Sequence, residues 1–289
     1  MCRLNYIPID FIKAEVIGLS KTVFETNSLL DFICKVSTST GEIFEYKEAR
    51  FKNFKIQIFN SGRVWISGSI HIYSNDGKHN YNDMNQSCFL NTLKLLKKEL
   101  LIEPFNLKIL NLEWGYNIIP LLLMSNYVID RCVQHLSVDK TVGIDCKIEG
   151  KYIQFKHSNY ILKIYNKGLQ YKLNKEVLRI EVKQMNWSKY RAKGIYTLED
   201  FINCDKKVFF DELITQWNNI IFYDIDNTIT KKYIEYQTNT FWNERNNLYS
   251  RKNKKYHLDK LKKLNKTIGY NTQNKIVELL IKKGNELQV

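Results

Sequence analysis

The sequence is short of several things, and each shortage removes a class of protein. No apolar run approaches the roughly 18 residues that a membrane-spanning helix needs, so no integral membrane protein is expected. The N-terminus mixes Arg3, Asp10, Lys13 and Glu15 among its apolar residues, so a secretory leader is not expected. The cysteines (Cys2, Cys34, Cys88, Cys132, Cys146 and Cys204) lie far apart with no CxxC pair. That spacing argues against structural zinc and against a secreted disulfide framework, and it suits reduced thiols in the cytoplasm. Prolines number 3 and glycines 12, beside abundant Lys, Asn, Ile and Tyr; the bias suggests AT-rich coding and carries no mechanism. Acid is scarce as well. Against 44 Lys+Arg stand 30 Asp+Glu, a net charge of +14, which favours a polyanionic partner. Without a membrane segment, nucleic acid is the better partner. No internal repeat is visible.

What is present reads as an α+β chain. Ile43 to Tyr73 reads as strands, with Phe54–Phe59 turning at Asn60-Ser61-Gly62 into a strand over Arg63–Tyr73. A polar loop, Ser74–Asn82, precedes a helix that carries Phe89, Leu93, Leu96 and Leu100 at helical spacing and is closed by Pro104. Leu107–Tyr116 reads as a strand and Ile118–Val133 as a helix. Strands follow over Lys151–His157, Tyr160–Lys167 and Val177–Gln184; the loop between the last two is short enough for an antiparallel hairpin. Thr197 caps the start of a helical half, with helices expected over Lys207–Tyr223, Thr228–Ser250, Leu258–Ile268 and Gln273–Lys283. The expected organisation is a domain over 1–205, an antiparallel sheet packed on helices with one polar face, and a helical, basic region over 206–289.

Period-two alternation sorts each strand into faces. Leu162 and Ile164 oppose Lys163, Tyr165 and Lys167; Leu178, Ile180 and Val182 oppose Arg179, Glu181 and Lys183. Leu110, Leu112 and Trp114 oppose Asn111 and Glu113, and Ser69 and His71 oppose the aliphatic residues of their strand. If these strands share a sheet, one face gathers His71, Glu113, Tyr165, Lys167 and Glu181. Two carboxylates and an imidazole suit Mg²⁺ or Mn²⁺. A tyrosine attacks phosphorus only when its phenol is helped to ionise, and Lys167 is the expected assistant. An ordinary half-exposed sheet shows the same pattern, so alternation nominates the face without deciding its role.

Between Arg251 and Lys266 the chain places Arg251, Lys252, Lys254, Lys255, Lys260, Lys262, Lys263 and Lys266 against one acid, Asp259. Such a run either contacts phosphates or is a solvated helix face.

These residues also carry a resemblance. Gly68-Ser69-Ile70-His71-Ile72-Tyr73 with Gly77-Lys78-His79-Asn80-Tyr81-Asn82-Asp83, Leu112-Glu113-Trp114-Gly115-Tyr116-Asn117-Ile118, Ile164-Tyr165-Asn166-Lys167-Gly168-Leu169-Gln170-Tyr171 and Leu178-Arg179-Ile180-Glu181-Val182-Lys183 are similar to motifs of replication-associated proteins of phages and mobile elements in Bacteroidetes-type bacteria. Order and spacing also resemble the gene II replication proteins of filamentous phages and, more remotely, plasmid initiators of the Rep_trans type. The likeness runs from about Phe54 to Tyr223. It implies strand-specific nicking at a replication origin through a 5′-phosphotyrosine. Tyr165 matches the nucleophile and Glu113 and Glu181 match acidic positions, with His71 as a further expected ligand. The His-hydrophobic-His metal motif of better-known relaxases is missing. Expected DNA contacts are Lys163, Arg179, Lys183, His79, Arg251, Lys252, Lys254, Lys255, Lys262 and Lys263. Expected partners are single-stranded or origin DNA, with a host helicase and a second copy of the chain as further candidates. The alternative from the same residues is a non-catalytic nucleic-acid-binding protein of a mobile element, a regulator or defence factor.

Overall fold

The computed structural model describes residues 5–120, 125–142, 151–224, 231–247, 251–268 and 271–288, with backbone alone at 231, 232, 247, 251 and 268. In chain order it contains β1 (Ile9–Val16), α1 (Thr22–Glu25), β2 (Ile33–Val36), β3 (Ile43–Phe51), β4 (Phe54–Phe59), β5 (Val64–Ser69), α2 (Ile70–Ser74), α3 (Gln86–Leu100) and β6 (Leu107–Ile118). There follow α4 (Ser125–Asp130), β7 (Cys132–His135), β8 (Val138–Asp139), β9 (Tyr152–Lys156), β10 (Tyr160–Asn166), α5 (Lys167–Gln170), β11 (Leu178–Gln184), α6 (Ser188–Arg191), α7 (Leu198–Asn203), α8 (Lys207–Asn218), β12 (Ile220–Phe222), α9 (Asn239–Asn247), α10 (Arg251–Ile268) and α11 (Thr272–Glu286). The protein is α+β, with a large antiparallel sheet. No helix among the described residues is long and apolar enough to cross a membrane.

Two compact units divide the chain: Met1–Gly115 with Lys183–Lys207 and Leu287–Val289, and Tyr116–Val182 with Val208–Glu286. One crossing, at 207/208, lies beside the boundary expected at 205/206; those at 115/116, 182/183 and 286/287 were not expected.

The first unit is built on strands in the order β2-β3-β4-β5-β1-β6. The β4–β5 hairpin closes where expected, with Gly62 at φ +82°, a backbone region costly to residues with a Cβ. β1, which had no sequence reading, lies between β5 and β6 and pairs antiparallel with both. Its Ile12, Ala14 and Val16 join Ile56, Ile58, Val64 and Ile66 on a fully buried face. Each large side chain buried there contributes about 1.5–3 kcal/mol. The strand expected to reach Tyr73 stops at Ser69, whose hydroxyl accepts the Ile72 amide at 3.0 Å and caps α2. That local bond outcompetes the ladder, and His71 therefore sits on a helix and not on the sheet. On β6 the expected grouping of Leu110 with Leu112 fails for a similar local reason. A register shift pairs Ile109 with Ala14 and Leu112 with Ile12, so Ile109 and Leu112 share the buried face and Leu110 is the extra residue. α3 is capped by Asn85, whose carboxamide accepts the Cys88 amide, and it turns Phe89, Leu93, Leu96 and Leu100 inward as expected.

In the second unit β10 pairs with both β9 and β11, and β12-β7-β8 form a small sheet. The helix expected over Ile118–Val133 is α4 followed by β7, with residues 121–124 outside the described set. The helix expected over Lys207–Tyr223 ends at Asn218, because Ile220–Phe222 pairs with β7. The Thr228–Ser250 reading resolves into a 3-10 segment, Lys231–Gln237, and α9, with 228–230 and 248–250 outside the described residues. Val133, Ile221, Tyr236, Phe241, Trp242 and Leu261 form the core beneath α9 and α10. Asp224 is buried, accepting the Thr272 amide and hydroxyl at the start of α11.

His135 is fully buried on β7, with its Nδ1 2.7 Å from His157 Nε2. Burial first, and the neighbouring His157 second, lower its pKa from the ordinary imidazole value to about 4. The unfolded chain then binds this proton near pH 6.5 and the folded chain does not. Stability is therefore expected to be full above about pH 6.5 and to fall by about 3 kcal/mol as pH drops toward 4. Denaturant midpoints measured across that range test this; His135→Phe flattening nothing of the acid limb would contradict it.

Candidate active site

Alternation on β10 and β11 does bring chemistry together within the second unit. Leu162, Ile164, Leu178, Ile180 and Val182 are buried on the aliphatic side. The opposite positions carry Lys163, Tyr165, Arg179 and Glu181. Lys163 Nζ lies 3.1 Å from Glu181 Oε1, and Arg179 Nε donates to Glu181 Oε2 at 2.9 Å. The Tyr165 hydroxyl donates to the same Oε2 at 3.4 Å, the long end of hydrogen-bond range. Arg179 also reaches Asn117 Oδ1 at 3.3 Å, and the Tyr152 ring lies 5.7 Å from that of Tyr165. Two cations thus hold one carboxylate. The phenol has a proton acceptor in reach.

This arrangement revises several expectations. Arg179, expected to contact DNA, is 1 % exposed and serves Glu181. Lys167 is not on the Tyr165 face: β10 ends at Asn166, whose carboxamide accepts the Leu169 amide and starts α5, so Lys167 opens a helix and is fully buried. Gly168 is required in that turn, since a Cβ there would lie 2.4 Å from the Lys175 carbonyl oxygen.

Four further expected residues, Lys183, Glu113, His71 and His79, are held in the first unit. Lys183 Nζ pairs with Glu113 Oε1 at 2.7 Å and lies over the Phe11 ring. His71 is buried, with Nε2 2.9 Å from Asn82 Oδ1. His79 stacks on Tyr81 at 3.9 Å between ring centres. Sequence reasoning missed Asp10 on β1, a buried carboxylate that accepts the Ser69 hydroxyl at 2.5 Å and the Asn80 amide at 2.7 Å. Its only signal was an acid inside an apolar strand.

Among the described residues no group of three or more His, Cys, Asp and Glu is arranged to hold a metal ion. Glu181 is matched by Lys163 and Arg179, Glu113 by Lys183, and His71 by Asn82. A dication at either carboxylate would meet cations already in place.

The basic run forms α10, which begins at Arg251 and not at Leu258. Lys252, Lys255, Lys262, Lys263 and Lys266 are exposed and share one stripe at helical pitch. Lys254 falls on the other side: its ammonium is bound by the Leu136 carbonyl at 2.6 Å and the Asn246 carboxamide at 2.5 Å, and burial lowers its pKa. It ties α10 to the β7–β8 turn. The side chain of Arg251 lies outside the described residues.

No protein-family model matches the chain. No curated protein matches it. Among solved structures it is similar to a rolling circle replication initiator protein from Geobacillus stearothermophilus, at 14 % identity and a TM-score of 0.41, over 81 % of this chain and 94 % of that one. At that level the likeness decides no activity.

The buried charge cluster makes a stability prediction. Arg179→Ala leaves Glu181 with one cation fewer in a dry site, and a loss of about 3–5 kcal/mol is expected in urea unfolding. The double change Arg179→Met with Glu181→Met, which removes both charges, is expected to recover most of it; a double variant as unstable as the single refutes the charge account.

Proposed function

We propose that this chain is a replication initiator of the rolling-circle kind, which nicks and rejoins one DNA strand with the Tyr165 hydroxyl as nucleophile. What supports the reading above all is the Tyr165 hydroxyl set 3.4 Å from a carboxylate that Lys163 and Arg179 hold in place. The net charge of +14 and the motif resemblance point the same way. A free phenol, with a pKa near 10, is a poor nucleophile at neutral pH. With Glu181 taking its proton, the phenol oxygen attacks phosphorus, a tyrosyl P–O bond forms and the P–O3′ bond breaks. The departing 3′ oxygen takes up a proton and becomes a free hydroxyl. Lys163 and Arg179 offset the charge that builds on the non-bridging oxygens. Because the phosphotyrosine conserves the energy of the broken link, the reverse attack by a 3′ hydroxyl rejoins the strand. The exposed lysine stripe of α10 supplies sequence-independent grip on the phosphate backbone. Origin DNA is the substrate in this reading, with a host helicase and a second copy as candidate partners.

The second reading is a non-catalytic nucleic-acid-binding protein of a mobile element. It is favoured by one observation: Tyr165 is only 6 % exposed.

The two readings separate on a denaturing gel. The full chain is incubated with labelled single-stranded DNA from its own element, with Mn²⁺ or Mg²⁺ and with chelator. A covalent protein–DNA adduct is expected for the parent chain and none for Tyr165→Phe. For Glu181→Gln the adduct is expected to form about 10²- to 10⁴-fold more slowly, the usual loss when a positioned base is removed. Adduct from Tyr165→Phe at the parent rate sinks the nucleophile assignment. DNA bound but never cut leaves the second reading.

A further inference from the structure

One face of the first unit's sheet buries aliphatic side chains, and the other carries an aromatic stripe across neighbouring strands. On β3 Phe44 and Tyr46 stack at 5.6 Å and 30°. Tyr46 is in register with Phe59 on β4, with ring centres 5.5 Å apart, and Phe59 meets Trp65 on β5 at 4.7 Å. Phe44 is 44 % exposed, while Tyr46, Phe59 and Trp65 are half-buried. Aromatic rings left accessible on a sheet are costly in water, since nothing is gained from their apolar area.

Cations are laid among these rings. Lys13 Nζ stands 4.1 Å above the Trp65 ring, and the Arg63 guanidinium lies 5.8 Å from Phe59 and 6.0 Å from Trp65. Register places Lys13 and Lys55 on the same side, each opposite Ser67 from either flank. The acids of this face are already matched: Glu48 by Lys35 at 2.6 Å and Glu15 by Lys108 at 3.1 Å. Among the described residues no carboxylate pairs with Lys13, Lys55 or Arg63. The Lys13 pKa is lowered, by burial first and by the Lys55 charge second, so two ammonium groups repel each other with no anion between them.

The geometry points to this face as a platform for single-stranded DNA, with bases stacked on Phe44, Tyr46 and Phe59 and phosphates held at Lys13, Lys55 and Arg63. Stacking on exposed rings recovers their apolar area, and a phosphate relieves the lysine repulsion, so rings and cations alike call for a polyanion with flat apolar groups. A duplex hides its base faces and does not satisfy the rings. The choice of DNA rests on the nicking reading above, and it adds DNA-contacting residues that reading does not name.

The test is fluorescence anisotropy of the full chain with labelled oligothymidylate across a salt series. Phe44→Ser with Tyr46→Ser is expected to weaken binding about 10- to 100-fold, from the stacking of one or two bases. Lys13→Gln with Lys55→Gln is expected to lower the salt slope by about 1–2. Unfolding midpoints of each variant serve as the folding control. If well-folded aromatic and lysine variants both bind as the parent does, the proposal fails. It also fails if they lose only self-association in sedimentation, or if oligouridylate is the ligand preferred by the parent. An absent adduct together with the expected binding losses overturns the nicking reading and leaves the platform standing.

Discussion

An ionised carboxylate between two packed strands is several kcal/mol unfavourable unless cations reach it, and Glu181 stands in that position. Both its oxygens are engaged, one by Lys163 and one by Arg179 with the Tyr165 hydroxyl. Arg179 is itself buried and donates also to the Asn117 carboxamide oxygen. The interactions support one another: Glu181 takes a charge-assisted bond from each of Lys163 and Arg179. This mutual support fixes the side chains beside Tyr165 more firmly than aliphatic packing does, because charge-assisted bonds are directional.

The first unit holds buried carboxylates of its own. Lys183 pairs with Glu113, and Asp10 accepts the Ser69 hydroxyl and the Asn80 amide, while Ser69 in turn caps α2. One serine thereby ends a strand, starts a helix and binds a carboxylate. The same substitution of local for ladder bonding occurs at Asn166, where β10 gives way to α5. In both places a short polar side chain bonds its own backbone three residues on, which a reading by hydropathy does not register.

Much of the fold was legible. The β4–β5 hairpin, α3 and the strands β9, β10 and β11 were visible because each has an uninterrupted period of its own. β1 was not, since Asp10 and Lys13 break its apolar pattern, and the bond network around Asp10 that permits the break is tertiary. β12 was lost inside an apolar run that helix and strand share equally well; its pairing with β7 decides the matter. In the candidate site, alternation correctly set Lys163, Tyr165, Arg179 and Glu181 opposite the aliphatic residues. It extended too far at Lys167, one residue past a cap, and at His71, two residues past one. It also read Arg179 and Lys254 as surface cations, although Arg179 is buried and Lys254 is engaged by a partner far along the chain.

By itself the sequence determined the class of the fold, the positive field, the strand faces and the tyrosine worth testing. Each of these follows from residue type and spacing, which are local or summed quantities. The tertiary structure alone decided which charges neutralise one another. It turned Glu181 from an expected metal ligand into the carboxylate between two cations, and Lys254 from a phosphate contact into a tie between α10 and the β7–β8 turn. Electrostatic partnership depends on distance and burial, and neither is written in the order of residues.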